Sequence, residues 1–235
     1  MRLAKARIAS LSILSVSAVV APSPRGGAII GTVTYTGTPL KAEPINMSKE
    51  PACVKMHPNG LMTEKVVTGP GNTLQNVVVY ISAGSDTSAV PTTAASFDQQ
   101  SCHYTTHVLA FRVGQDVKIS NSDPFSHNIH PIARNNREWN RMQPAGTPPF
   151  SYSYENEEFI PVKCNIHSWM QAYFVVLKTG HFVVTGEDGR FTLPALSPGT
   201  YTVTAWHETY GTRNQEITIV GDQTVKVNFI FQAKP

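Results

Sequence analysis

Lys163-Cys164-Asn165-Ile166-His167-Ser168-Trp169-Met170 is the stretch from which the rest of the chain is best read, together with Ser126-His127-Asn128-Ile129-His130 upstream. Cys164, His167 and Met170 put a thiol, an imidazole and a thioether within seven residues, and His127 adds a second imidazole 37 residues earlier. One Cys, two His and a weak axial Met form the donor set of a blue-copper centre, which holds Cu(I) and Cu(II) with little rearrangement. The expected metal ligands are therefore His127, Cys164, His167 and Met170, around one type 1 copper ion.

The sequence around these residues reads as strand. Glu158-Phe159-Ile160-Pro161-Val162-Lys163 runs extended into Cys164, and Ala172-Tyr173-Phe174-Val175-Val176-Leu177 follows Met170. His107 to Val113 leads through Gly114-Gln115-Asp116 into Val117-Lys118-Ile119-Ser120-Asn121, as consecutive strands of a sandwich do. His127 follows the loop Asn121 to Ser126 and opens another strand. A Cys at one strand end, a His after a two-residue link and a His from a neighbouring strand can all face one ion. Singly, a buried Cys or a Met beside an aromatic is ordinary packing; the joint spacing is what points to metal.

His130 lies three residues from His127, and an odd offset on a strand puts the two side chains on opposite faces. It reads as structural, whereas Asn128 is expected to hold the ligand loop by hydrogen bonds. His103 and His107 share a face by their even separation and read as surface or packing histidines, a second metal site being the less expected alternative. Trp206-His207-Glu208 reads as packing, because His207 and Glu208 alternate across a strand.

Three cysteines are an odd count. If Cys164 must stay a free thiolate for metal, the simplest partition joins Cys53 to Cys102; two buried free thiols are the alternative. The first residues look like an export signal: Arg2, Lys5 and Arg7, then an apolar run from Ile8 to Ala21 that is shorter than the roughly twenty residues of a membrane span. Residues 1-21 hold no acid, so the remainder balances at 16 bases to 16 acids. No Lys/Arg cluster with interleaved aromatics argues for nucleic acid, and the mature chain should carry no transmembrane span. Charged residues make up 15%, below the roughly 25% of average soluble domains; the surplus of Thr, Ser, Val, Gly and Pro suits exported, periplasmic β-structure.

The stretch Gly114-Gln115-Asp116-Val117 to His130, with Cys164-x-x-His167-x-x-Met170, resembles the cupredoxin family over about residues 101 to 178. The resemblance implies a Greek-key β-sandwich, the same four ligands, a non-ligand His130 and one-electron transfer between a redox donor and an acceptor. It further implies a partly exposed apolar docking patch around the second His, here Trp169 with Phe125. Thr185-Gly186-Glu187-Asp188-Gly189-Arg190-Phe191, Leu196-Ser197-Pro198-Gly199-Thr200-Tyr201 and the opening Gly31 to Leu40 resemble the carboxypeptidase regulatory-like, or transthyretin-like, sandwich. Asp188-Gly189 is also a hairpin cue.

The expected fold is all-β: a cupredoxin sandwich at 96-178, a second transthyretin-like sandwich at 179-235, and an N-terminal β segment at 28-95 belonging to the second sandwich. Either the second sandwich is built from both ends of the chain with the first inserted, or the two stand side by side. The expected function is an exported electron carrier and not an enzyme, since four ligands leave little room for a substrate. The alternatives are a copper chaperone or store, or a cell-envelope carbohydrate- or protein-binding module with a structural copper. The scattered Met residues do not form the exposed cluster that a chaperone uses.

Overall fold

The computed structural model describes residues 26–84 and 88–232, so the expected leader at residues 1-21 lies outside the described residues. Two sandwiches share one chain. In the first, a five-stranded sheet runs Arg141–Gln143, His127–Pro131, Glu158–Lys163, Gln171–Leu177, Val108–Arg112 from edge to edge. A four-stranded sheet of Phe150–Tyr152, Val117–Asn121, Ala95–Gln100 and His103–Tyr104 faces it. Phe97, Tyr104, Phe111, Ile119, Tyr154 and Phe174 fill the space between them, with Phe174 edge-on to both Phe97 and Phe111.

The second sandwich draws on both ends of the chain. Gly27–Thr36 pairs antiparallel with Arg190–Leu196 and parallel with Phe229–Gln232. Its opposing sheet orders Phe182–Val184, Val78–Ala83, Gly199–His207 and Gly211–Ile219. Ile29, Val33, Leu74, Val203, Phe229 and Phe231 lie in the core between these sheets.

Alternation along a strand explains how the sandwiches meet. In Val77-Val78-Val79-Tyr80-Ile81, the odd residues enter the second core and Val78 and Tyr80 point the other way. In Gln171–Leu177, Phe174 and Val176 enter the first core while Val175 and Leu177 point out. The two outward sets pack on each other with Val108, Phe159 and Trp206; the Phe159 and Trp206 rings lie 4.7 Å apart. The unbroken apolar run Phe174 to Leu177 is thus buried on both faces, as strands covered on both sides are.

Asp188-Gly189 makes the tight turn expected of it, with Gly189 at φ +62 and its N–H donating to the Gly186 carbonyl. Contrary to the hairpin cue, the flanking strands Phe182–Val184 and Arg190–Leu196 belong to opposite sheets, so the turn crosses the sandwich. Among the described residues the one α-helix is Pro51–Met56. It sits in a flap, residues 41–67, that leaves the second sandwich and covers one end of the first through Met47, Cys53 and Leu61.

Candidate metal centre

Glu158–Lys163 ends one residue before Cys164 and Gln171–Leu177 begins one residue after Met170, so the ligand loop joins two paired strands. The loop is closed by its own backbone: the Cys164 N–H donates to the Met170 carbonyl and the Met170 N–H to the His167 carbonyl. His127 opens the neighbouring strand, which pairs with Glu158–Lys163 through His130 and Pro131. These connections bring ligand atoms of His127, Cys164 and His167 within 4.8 Å of one another. All three are buried, and Met170 is fully buried in the core that also contains Cys164.

The electrostatics favour a metal-ready set. The Nδ1 atoms of His127 and His167 face each other at 2.9 Å, an arrangement in which two ring lone pairs converge on one space. Burial pushes the Cys164 thiol up, but His127 and the backbone N–H groups of His167, Asn128 and Ile166 outweigh it, so its pKa falls below the ordinary value and the thiolate is favoured. Burial lowers the His127 pKa, yet its bonds to Cys164 and Asp123 raise it overall. His167 goes the other way, held down by burial and by the neighbouring His127. A soft thiolate with two imidazoles, closed to water, fits copper.

Asn128 lies between the ligand loop and Asn140. Its side-chain Oδ1 accepts from the Asn165 N–H at 2.6 Å and lies 3.3 Å from the Cys164 sulfur, while its Nδ2 donates to Asn140 Oδ1. His130 is not among the clustered ligand atoms; it contacts Glu138 at 2.7 Å and Asn165 Oδ1 at 3.2 Å. Phe125 and Trp169 flank His167, with ring centroids 6.2 and 5.1 Å away. Both are half-buried against the flap.

Cys53 and Cys102 form a disulfide that ties the flap to the first sandwich. The Trp169 indole N–H donates to the Cys102 carbonyl at 2.9 Å, and a Glu50 carboxylate oxygen stands 4.0 Å from His167 Nε2. His167, at 3% exposure, is therefore covered by a second part of the chain rather than left at the surface.

Sequence reasoning missed Asp123. Its carboxylate binds His127 Nε2 at 2.7 Å and accepts the N–H groups of Ser101 and Cys102. Ser101 and Cys102 both have positive φ, 56 and 55, so their amides point together into one anion-holding nest. Held by the carboxylate, Nε2 of His127 carries the proton and Nδ1 keeps its lone pair toward Cys164 and His167. The signal that could have found it was an acid four residues before a candidate ligand, in the loop that positions that ligand.

Residues 171–232 match the carboxypeptidase regulatory-like domain. This covers the strands from Gln171 to Gln232, the first of which lies in the five-stranded sheet of the other sandwich. Among solved structures, a copper-containing nitrite reductase from Thermus scotoductus is similar at 16% identity and a TM-score of 0.35, over 42% of this chain and 25% of that one. Amicyanin in a reduced Cu(I) mutant form is similar at 23% identity and a TM-score of 0.32, over 42% of this chain and 98% of that one. An oxidised amicyanin mutant matches at 22% and 0.33. No curated protein matches. The chain is all-β, built as two sandwiches, and its residues 171–232 match the carboxypeptidase regulatory-like domain.

Proposed function

We propose that the protein is an exported type 1 copper protein that carries single electrons between a donor and an acceptor, without catalysing a reaction of its own. The observation that carries this is the convergence of His127, Cys164 and His167 in a buried set whose thiol is biased toward thiolate. In this reading Met170 is the axial ligand, one copper ion binds per chain, and that ion supplies a one-electron couple when bound. The chain does the rest. Asp123 fixes the tautomer of His127, Asn128 and the loop backbone hold Cys164, and the flap keeps water out, so little has to move on electron exchange.

In the same reading residues 1-21 are a cleaved leader to the periplasm. Segments 28-95 and 179-235 form one domain and 96-178 the other. Partners dock over Phe125 and Trp169, at the rim of the flap. A copper chaperone exchanges its ion through an open site, and the burial of all four proposed ligands favours the carrier.

The test is an optical and electron-paramagnetic-resonance spectrum of the protein with Cu(II). Wild type should show intense visible thiolate-to-copper absorption, and Cys164→Ser should lose it. A colourless wild type, or a mutant with the same spectrum, would sink the proposal. Trp169→Ala should keep the spectrum and slow exchange with a protein partner; an unchanged rate removes the docking role.

A further inference from the structure

An ion that reaches His127, Cys164, His167 and Met170 has to pass a cover, because all four side chains are buried. Over His167 that cover is the flap, not the sandwich that carries the ligands. Met47 and Cys53 of the flap and Cys102 of the first sandwich form one buried cluster, onto which Ile45, Leu61, Phe125 and Trp169 pack. The sulfurs of Cys53 and Cys102 and a ring nitrogen of His167 lie within 4.8 Å of one another. The disulfide is thus the innermost layer of the lid, with Glu50 beside it at 4.0 Å from His167 Nε2. Polar ties of the flap to the first sandwich include His57 Nε2 at 2.6 Å from the Ser101 carbonyl and Glu64 Oε2 at 2.7 Å from His103 Nε2. These open and close reversibly; the S–S bond does not.

We propose that the Cys53–Cys102 disulfide is a lock set after copper has entered: the chain takes up its ion with both thiols reduced and the flap raised, and oxidation then fixes the flap over His167. This rests on the copper-centre reading above. Closing is an exchange with an oxidant that itself carries a disulfide. The two thiols lose two electrons and two protons and form one S–S bond, while the S–S bond of the oxidant is reduced to two thiols. The lock works one way. Reopening needs a thiolate to reach a sulfur of the closed bond, and Cys53 and Cys102 are 1% and 0% exposed. The order matters as well, because Cys164 is a third thiol beside the same His167. A thiolate is the attacking species in the exchange and also the metal ligand, so an ion already bound to Cys164 keeps it from pairing with Cys53 or Cys102.

The test loads the reduced wild-type protein with Cu(I) under anaerobic conditions and measures release to bicinchoninate before and after closure with oxidised glutathione. Closure should slow release at least about tenfold, within the roughly thousandfold that a cross-link between residues 49 apart can contribute. Cys53→Ala/Cys102→Ala should release copper at the fast rate with or without the oxidant; the wild-type comparison stands whether or not this variant folds. Trypsin acting after Lys55 reads the flap without any metal, and should cut the reduced protein and spare the closed one. One release rate before and after closure, with copper bound in both, would leave the copper centre standing and overturn the lock. So would a flap that trypsin treats alike in both forms, or a closed bond that dithiothreitol reduces readily without denaturant. A protein that binds no copper in either form fails the copper-centre reading, and the lock falls with it.

Discussion

His127 and His107 are both buried, and both are held at Nε2 by a buried carboxylate, yet they sit in different kinds of place. His127 stands inside one end of a sandwich, with every proposed partner ligand supplied by that sandwich. His107 stands at a seam, and its partners come from the flap and from the other sandwich. The first cluster can be no looser than the sheet that carries it. The second exists only while three parts of the chain stay together. A thiolate marks the first for a soft, redox-active ion; the second is a cluster of imidazoles and carboxylates bonded to one another.

The largest effect should come from cutting the flap loose. Cys53 and Cys102 are 49 residues apart, and removing a cross-link of that loop length costs about 4 kcal/mol in the chain-entropy account. The double change Cys53→Ala/Cys102→Ala should lower stability by that order in denaturant unfolding. The contacts of Glu64 with His103 and His107 should loosen, because Glu64 rides on the flap. The visible copper absorption should survive, because its ligands do not. Loss of that absorption alongside unchanged stability would reverse the comparison.

A smaller effect should appear as a dependence on pH at the seam. Burial lowers the His107 pKa, but the Glu208 bond, the Glu208 and Glu64 charges and the Gln171 carbonyl raise it overall from its ordinary 6.5. The groups facing it also include His207, which burial and the His107 charge push down to about 4 and which stays neutral in the core. A histidine whose folded pKa is raised contributes stability that is fully present below 6.5 and is lost as pH rises through the folded value. In metal-free protein the wild type should therefore lose stability above pH 6.5 more steeply than His107→Gln. Parallel curves would show that the imidazolium is not held.

What could be read in advance divides along the same line. Cys164-x-x-His167-x-x-Met170 is local, and the strands around it alternate plainly, so the first cluster and its sandwich are legible in one pass. The seam is not. His107 and Glu208 are 101 residues apart, and nothing in Trp206-His207-Glu208 says that a glutamate leaves its own sandwich to meet a histidine of another. The even spacing of His103 and His107 suggests one shared strand face, but His103 lies on a strand of the four-stranded sheet and His107 just before a strand of the facing five-stranded sheet. The cover over His167 was hidden for a related reason: residues 41–67 lack periodicity, and a flap takes its place from a disulfide and a few apolar contacts rather than from a repeating pattern.

The smallest expected effect concerns the nest that holds Asp123, where chemistry overrides backbone preference. Gln100 pairs with His103, leaving Ser101 and Cys102 as a two-residue turn with both φ positive. Such turns favour Asn-Gly or Gly-Gly, and each L-residue in this conformation costs about 1–2 kcal/mol. Ser-Cys carries no such signature. It is held by the disulfide and by the Asp123 carboxylate that takes both amides. Ser101→Gly keeps the donating N–H and removes the strain, less the roughly 0.4–1 kcal/mol that a freer unfolded chain takes back. The net gain should be about 0.5–1 kcal/mol in thermal or denaturant unfolding, with the copper spectrum unchanged. Ser101→Ala, which keeps the strained φ, should gain nothing. Equal stability of the Gly and Ala variants would mean that the turn carries no strain and that the carboxylate of Asp123 alone sets its shape.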